Sequence, residues 1–218
     1  MDVIVVIPAR DEEALIGPCL DSVIAAATPT TRILVVADGC VDRTAEVARG
    51  RGVEVLELTG RSVGAARRAG VAHALGNAEW IANTDADSVV PTDWISRQLE
   101  YAEEGADVVI GTVRPNFADL DDRRVRAWLA RHIPGHANGH VHGANLGIRA
   151  SAYLRAGGFG AEPEHEDVDL VARLTATGAR IVATADIDVQ TSGRLVGRTP
   201  GGYARHLRDD LITPEAIA

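Results

Sequence analysis

The chain has 218 residues, 46% hydrophobic and 24% charged, the proportions of a soluble globular protein able to bury a core without disulfides or a structural metal. Its 22 basic residues, all arginine, face 31 acidic ones for a net charge of −9. That balance argues against a nonspecific nucleic-acid binder, and the lack of lysine excludes Schiff-base and Walker-type chemistry.

Residues 3–7 form an apolar, β-branched run ended by Pro8 and predict the first strand. A helix follows over 14–27, with Gly17-Pro18 near its start, and a second strand at 33–36 is broken by Asp38-Gly39. A short helix at 44–49 takes Asp42 or Thr44 as its N-cap, 53–58 is a third strand, and 62–75 is helical. Residues 80–83 are the fourth strand, Pro91 opens a helix reaching 104, and 108–113 is the fifth strand. Short apolar strands alternating with helices predict an α/β fold, its mostly parallel central sheet covered by helices on both faces. The rhythm then changes to an arginine-rich amphipathic helix at 119–132 and a glycine- and histidine-rich loop at 133–142. An extended segment at 144–149, a short helix, a helix at 167–177 and one or two strands within 181–189 complete the order.

No repeat or linker interrupts this pattern, so one domain over 1–218 is expected, with a Rossmann-like nucleotide-binding half (1–115) and a second half (116–218). The 119–132 helix is read as ordinary packing, with a homodimer surface or a membrane-surface contact as the other readings. Cys19 and Cys40 lack metal-ligand spacing, the longest apolar run is far too short to span a bilayer, and Asp2 stands where a secretory leader carries positive charge. A cytoplasmic protein with no nucleic-acid partner and no transmembrane segment is the expectation.

In open α/β sheets, ligands bind beyond the carboxyl ends of the strands. Polar residues gather at those ends here: Pro8-Ala9-Arg10-Asp11-Glu12 after strand one, Asp38-Gly39 after strand two, Asp85-Ala86-Asp87 after strand four. Asp85 and Asp87, two residues apart, suit a hard cation such as Mn²⁺ or Mg²⁺; an Asx turn or helix N-cap fits them equally. Glu166-Asp167-Val168-Asp169 is a second acidic cluster, either a charged helix start or the place of a general base. In Gly64-Ala65-Ala66-Arg67-Arg68 an arginine is able to meet a phosphate, although a surface helix with its arginines in water is the simpler reading of that segment. Arg194 and Arg198 lie in a basic loop that either folds over a diphosphate or stays mobile. His132, His136, His140, His142 and His165 lack zinc-finger or H-E-x-x-H spacing, so a dedicated zinc site is not expected.

The order of these pieces resembles a family-2 glycosyltransferase of the GT-A fold, across roughly residues 1–200. Residues 7–13, 35–44, 64–67 and 85–87 carry the donor side of the resemblance. Gly143 to Arg149 with Tyr153 and Gly157-Gly158-Phe159, and Glu166 to Leu174, carry the acceptor and catalytic side. The resemblance implies that Pro8, Arg10, Glu12, Asp38 and Arg67 line a pocket for a nucleotide-diphospho-sugar donor, with Asp85 near the ribose and base. It implies that Asp87, with Asp85, holds a metal on the diphosphate, and that the Arg194 loop closes over it. Asp167 would be the general base of an inverting transfer, with Glu166 as the other candidate, to a soluble or lipid-linked acceptor. Two departures stand out: Ala37 and Cys40 replace an aspartate and a serine usual at the second strand's end. They motivate a competing reading, a noncatalytic nucleotide-sugar binder derived from such an enzyme. A sugar-phosphate nucleotidyltransferase lacks its glycine-rich loop here, and no G-x-G-x-x-G supports a dinucleotide enzyme.

Overall fold

The computed structural model describes residues 1–60, 62–137, 139–160, 164–199 and 201–212. The first half alternates β1 (Val3–Ala9), α1 (Ile16–Ala26), β2 (Thr31–Asp38), α2 (Thr44–Arg49), β3 (Glu54–Leu58), α3 (Val63–Ala74) and β4 (Trp80–Asn83). A two-residue strand β5 (Ser88–Val89), α4 (Trp94–Glu103) and β6 (Val108–Pro115) follow. Then come α5 (Asp122–Arg131), β7 (Leu146–Arg149), α6 (Ala150–Arg155), α7 (Glu166–Ala176), β8 (Ile181–Thr191) and a short α8 (Tyr203–Arg205) that runs into a π-helical turn, His206–Asp210.

The strands form one mixed sheet in the order β3-β2-β1-β4-β7-β6-β8-β5. β1 pairs in parallel with β2 and β4, β2 with β3, and β6 with β8. The sequence pattern gave the parallel half correctly but placed no antiparallel strand inside the sheet. β7 lies between β4 and β6 and runs against both, and β5 closes the far edge against β8. The expected 119–132 helix starts later, because Asp121 caps α5 by accepting a hydrogen bond from the Arg124 N–H at 2.9 Å. The 181–189 region is a single strand, β8, whose register against β6 shifts between Ile110 and Thr112.

Alternate residues of β1 feed two cores, as a strand buried on both faces requires. Val3, Val5 and Ile7 pack with Ile16, Leu20 and Val23 of α1 and Trp94 and Ile95 of α4. Ile4 and Val6 face α3, α6 and α7 through Val71, Tyr153, Leu170 and Leu174. α3 approaches the sheet closely at Gly70, where an added Cβ would meet Val6 Cγ1 and Val36 Cγ2 at 2.7 Å. Gly70→Val is therefore expected to cost about 1–3 kcal/mol through overpacking, measured by denaturant unfolding. A third, smaller cluster of Trp128, Leu207 and Leu211 joins α5 to the C-terminal turn.

Candidate active site

A cavity of about 1000 Å³ opens at the carboxyl ends of β1, β2 and β4. Pro8, Arg10, Glu12, Asp38, Arg67, Asp85, Asp87, Glu166, Asp167 and Arg194, the residues singled out from the sequence, all line it.

Arg67 corrects the simpler reading of its helix. Only 2% exposed, it points inward from α3, whereas Arg68 faces solvent. Its stripe of buried neighbours, Gly64, Gly70, Val71 and Ala74, is the helical periodicity that marks an inward face. Arg67 Nη2 donates to Asp85 Oδ1 at 2.6 Å, and Nη1 donates to Glu166 Oε1. The guanidinium carbon also lies 5.9 Å from the Phe159 ring centroid. One arginine thus joins the end of β4 to the start of α7. Burial pushes the Glu166 carboxyl above its ordinary value, and the Arg67 charge opposes that shift. Gly143 leaves room for this guanidinium: a Cβ there would come within 2.5 Å of Arg67 Nη2.

Asp85 and Asp87 lie in a turn closed by Ser88 N donating to the Asp85 carbonyl at 3.1 Å, but their carboxylates are directed at other partners. Asp87 accepts from Thr191 Oγ1 at 3.2 Å and meets Arg194 Nη2 at 2.9 Å, while Asp85 turns to Arg67. The two carboxylates therefore diverge, and with Glu12 they do not gather as three ligand atoms around one point. Arg194 bridges Asp87 and Glu12 instead, its Nη1 donating to Glu12 Oε1 at 2.7 Å. Burial, then the Asp85 charge, pushes the Asp87 carboxyl up to about 6. The basic loop is pinned as well as placed: Arg198 Nε donates to the Arg10 carbonyl at 2.9 Å.

Asp38 spends both oxygens on the next loop, accepting from Gly60 N at 2.7 Å and Ser62 N at 2.9 Å. Among the described residues, Asp11, Cys40 and Asp42 come close enough for a metal. Their atoms serve the turn, however: Asp11 accepts from Val41 N, and Asp42 accepts from Glu13 N and Thr44 N. The second acidic cluster opens α7, with Asp167 on the cavity wall. Asp167 Oδ1 accepts from Val168 N at 2.8 Å, a helix-start contact, while Oδ2 accepts from Gly143 N at 2.6 Å on the cavity wall.

The family-model description "Glycosyl transferase family 2" matches residues 4–153. The chain belongs to that family. This glycosyltransferase is 30% identical over 224 residues to an undecaprenyl-phosphate 4-deoxy-4-formamido-L-arabinose transferase of Pectobacterium carotovorum, covering 97% of this chain and 67% of that protein. It is 30% identical over 152 residues to a dolichyl-phosphate hexose transferase of Haloferax volcanii, covering 68% of this chain and 65% of that one. A mannosyltransferase of Pyrobaculum calidifontis, solved with GDP-Man and Mn²⁺, superposes with a TM-score of 0.71 at 22% identity, over 88% of this chain and 56% of that chain. S. aureus TarS, solved with UDP-GlcNAc, gives 0.73 at 15% identity, over 93% and 62%. These likenesses establish the shared GT-A fold, and the glycosyltransferase spans about two thirds of the length of its curated relatives. No helix among its described residues is long and apolar enough to cross a membrane.

Sequence reasoning passed over several residues of the cavity wall. Trp128, Tyr203, His206 and Leu211 come from α5 and the C-terminal turn, about 75 residues apart in the chain. The one local signal for this wall is the density of histidine and aromatic side chains in polar surroundings.

Proposed function

We propose that the protein transfers a sugar with inversion from a nucleoside diphosphate sugar to a lipid-linked acceptor, assisted by a divalent cation. The observation that carries this reading is the position of Asp167. Its Oδ2 accepts from Gly143 N on the cavity wall, and Gly143 lies against the Arg67 guanidinium that holds Asp85 and Glu166. Glu166 is occupied by Arg67, which leaves Asp167 as the base. An acceptor oxygen attacks the anomeric carbon from the face opposite the diphosphate, and its proton passes to Asp167. The bond to the diphosphate breaks as the new one forms, and its electron pair leaves with the nucleoside diphosphate. A single base suits this direct displacement.

Mn²⁺ or Mg²⁺ would be held by the hard carboxylate oxygens of Asp87 and Asp85, in exchange for the Arg194 and Arg67 guanidinium groups that pair with them here. A cation held there supplies charge neutralisation for the leaving diphosphate. Arg10 Nε, buried without a partner among the described residues, is a further donor for an anionic ligand. The Mn²⁺ in the mannosyltransferase structure and the nucleotide sugars in both solved relatives agree with this assignment. The polyprenyl-phosphate transferases among the relatives support a lipid-linked acceptor.

Calorimetry with UDP-, GDP- and TDP-sugars, in Mn²⁺ and then in excess chelator, tests the reading. One nucleotide class is expected to bind, and to bind much more weakly after chelation. Asp87→Ala is expected to weaken binding in Mn²⁺ by about tenfold or more and to leave the chelated affinity unchanged. Equal affinity with and without the ion would sink the metal assignment. Binding without turnover toward any acceptor would favour the noncatalytic reading raised by Ala37 and Cys40.

A further inference from the structure

Both carboxylate oxygens of Asp87 are held from the end of one strand. Oδ1 accepts from Thr191 Oγ1 at 3.2 Å, and Oδ2 meets Arg194 Nη2 at 2.9 Å. Thr191 is the last residue of β8, and Arg194 follows in the loop beyond it. We infer that Thr191 is a positioning residue for the divalent cation: its hydroxyl fixes Asp87 Oδ1 and so presents Oδ2 to the ion. This assignment rests on the divalent-ion reading proposed above.

The chemistry of the hydroxyl sets the direction of the contact. An ionised carboxylate only accepts, so Thr191 spends its single proton on Asp87. That leaves the Thr191 oxygen as an acceptor, and Ser88 Oγ donates to it at 3.0 Å. Ser88 is fully buried and Thr191 nearly so, which shields both bonds from water. The chain from Ser88 through Thr191 to Asp87 therefore runs one way, each donor polarising the next toward the carboxylate.

The backbone around Thr191 is fixed on both sides. Ser88 faces it across the antiparallel β5–β8 pair, where directly opposed side chains share one face of the sheet. Toward β6, Thr191 pairs in register with Pro115, and its carbonyl accepts from Asn116 N at 2.7 Å. Ser88 also closes the turn that carries Asp87, through its N–H and the Asp85 carbonyl. A cross-strand Ser–Thr bond is by itself ordinary sheet pairing. What sets this one apart is the proton that Thr191 gives to a carboxylate on the cavity wall. Oδ2, the oxygen left for a cation, is the one that Arg194 covers here, so Thr191 presents the same atom to either positive group. Partners that orient a metal-ligating carboxylate weaken metal affinity by about 10–100-fold when removed.

The test is Mn²⁺ binding to the full chain, read from the electron paramagnetic resonance of the free ion, alone and with UDP, GDP or TDP at saturation. Thr191→Val keeps the shape of the side chain without its hydroxyl and is expected to weaken Mn²⁺ binding by about tenfold or more. Thr191→Ser restores the hydroxyl and is expected to restore the affinity. Ser88→Ala removes the same cross-strand bond but leaves Thr191 its bond to Asp87, and it is expected to keep most of the affinity. Thr191→Ala serves if the valine variant fails to fold. Unchanged Mn²⁺ affinity in the folded valine variant overturns the inference, as does a serine variant as weak as the valine one. A loss in Ser88→Ala equal to that in Thr191→Val assigns the effect to strand pairing and overturns it too. Wild-type protein that binds no Mn²⁺ under any of these conditions removes the divalent-ion reading and this inference together. Wild-type binding with an unaffected valine variant removes this assignment alone.

Discussion

Replacing Arg67 with methionine is expected to lower stability by about 3–5 kcal/mol, one of the largest losses available to a single substitution outside the hydrophobic cores. Methionine preserves much of the volume, so the effect isolates the charge. Without the guanidinium, Glu166, 4% exposed, loses its ion-pair partner, and Asp85 loses its own at the mouth of the cavity. For a chain of this size such a loss lowers the melting midpoint on the order of 10 °C. Arg67→Met combined with Glu166→Gln is expected to recover part of the loss, because the buried charge is then gone. Differential scanning calorimetry on the three proteins decides the matter. A loss below about 1 kcal/mol in the single variant means that water or a proton reaches Glu166 without cost, and the ion pair is then not what joins β4 to α7.

Asp167→Asn is expected to lower transfer by about 10²–10⁴-fold with donor affinity nearly unchanged. The amide keeps the size of the carboxylate, and one oxygen still accepts from Gly143 N or Val168 N. It no longer takes a proton from the acceptor. Single-turnover transfer measured beside donor calorimetry separates the two effects. Turnover at the wild-type rate would remove Asp167 from the base role. A parallel loss of donor binding would instead point to a collapsed wall around Gly143.

The contrast between Asp167 and Arg67 shows what the sequence made readable. Asp38, Asp85 and Asp87 stood out as a group, because strands buried on both faces do not account for carboxylates at the same end of the sheet, although a turn or cap fitted Asp85 and Asp87 equally well. The direction of Arg67 was legible only through its apolar neighbours on α3, and the glycines and alanines there are weak markers. β1, β2 and β4 were plain because their residues are apolar on both faces. β7 was not recognised as the antiparallel insertion, since its partners on β4 lie more than 60 residues away and pairing at that distance leaves no local pattern. The divergence of Asp85 and Asp87 was equally hidden: residues two apart share a face only while the strand continues, and β4 ends at Asn83. The far wall of the cavity depends on α5 meeting the C-terminal turn, a contact that no periodicity in either segment encodes.

The insertion of β7 between β4 and β6 also orders events during synthesis. β6 is complete when residue 115 has been made, yet the neighbour that ties it to β4 is not finished until residue 149. Until then the nascent chain carries one bare edge on β4 and two on β6, whose other neighbour β8 is made later still, and such edges invite pairing with other chains. Closure of the sheet must therefore wait for a long-range pairing, which makes it slow by the measure of contact order. A fragment ending near residue 115 is expected to aggregate rather than fold.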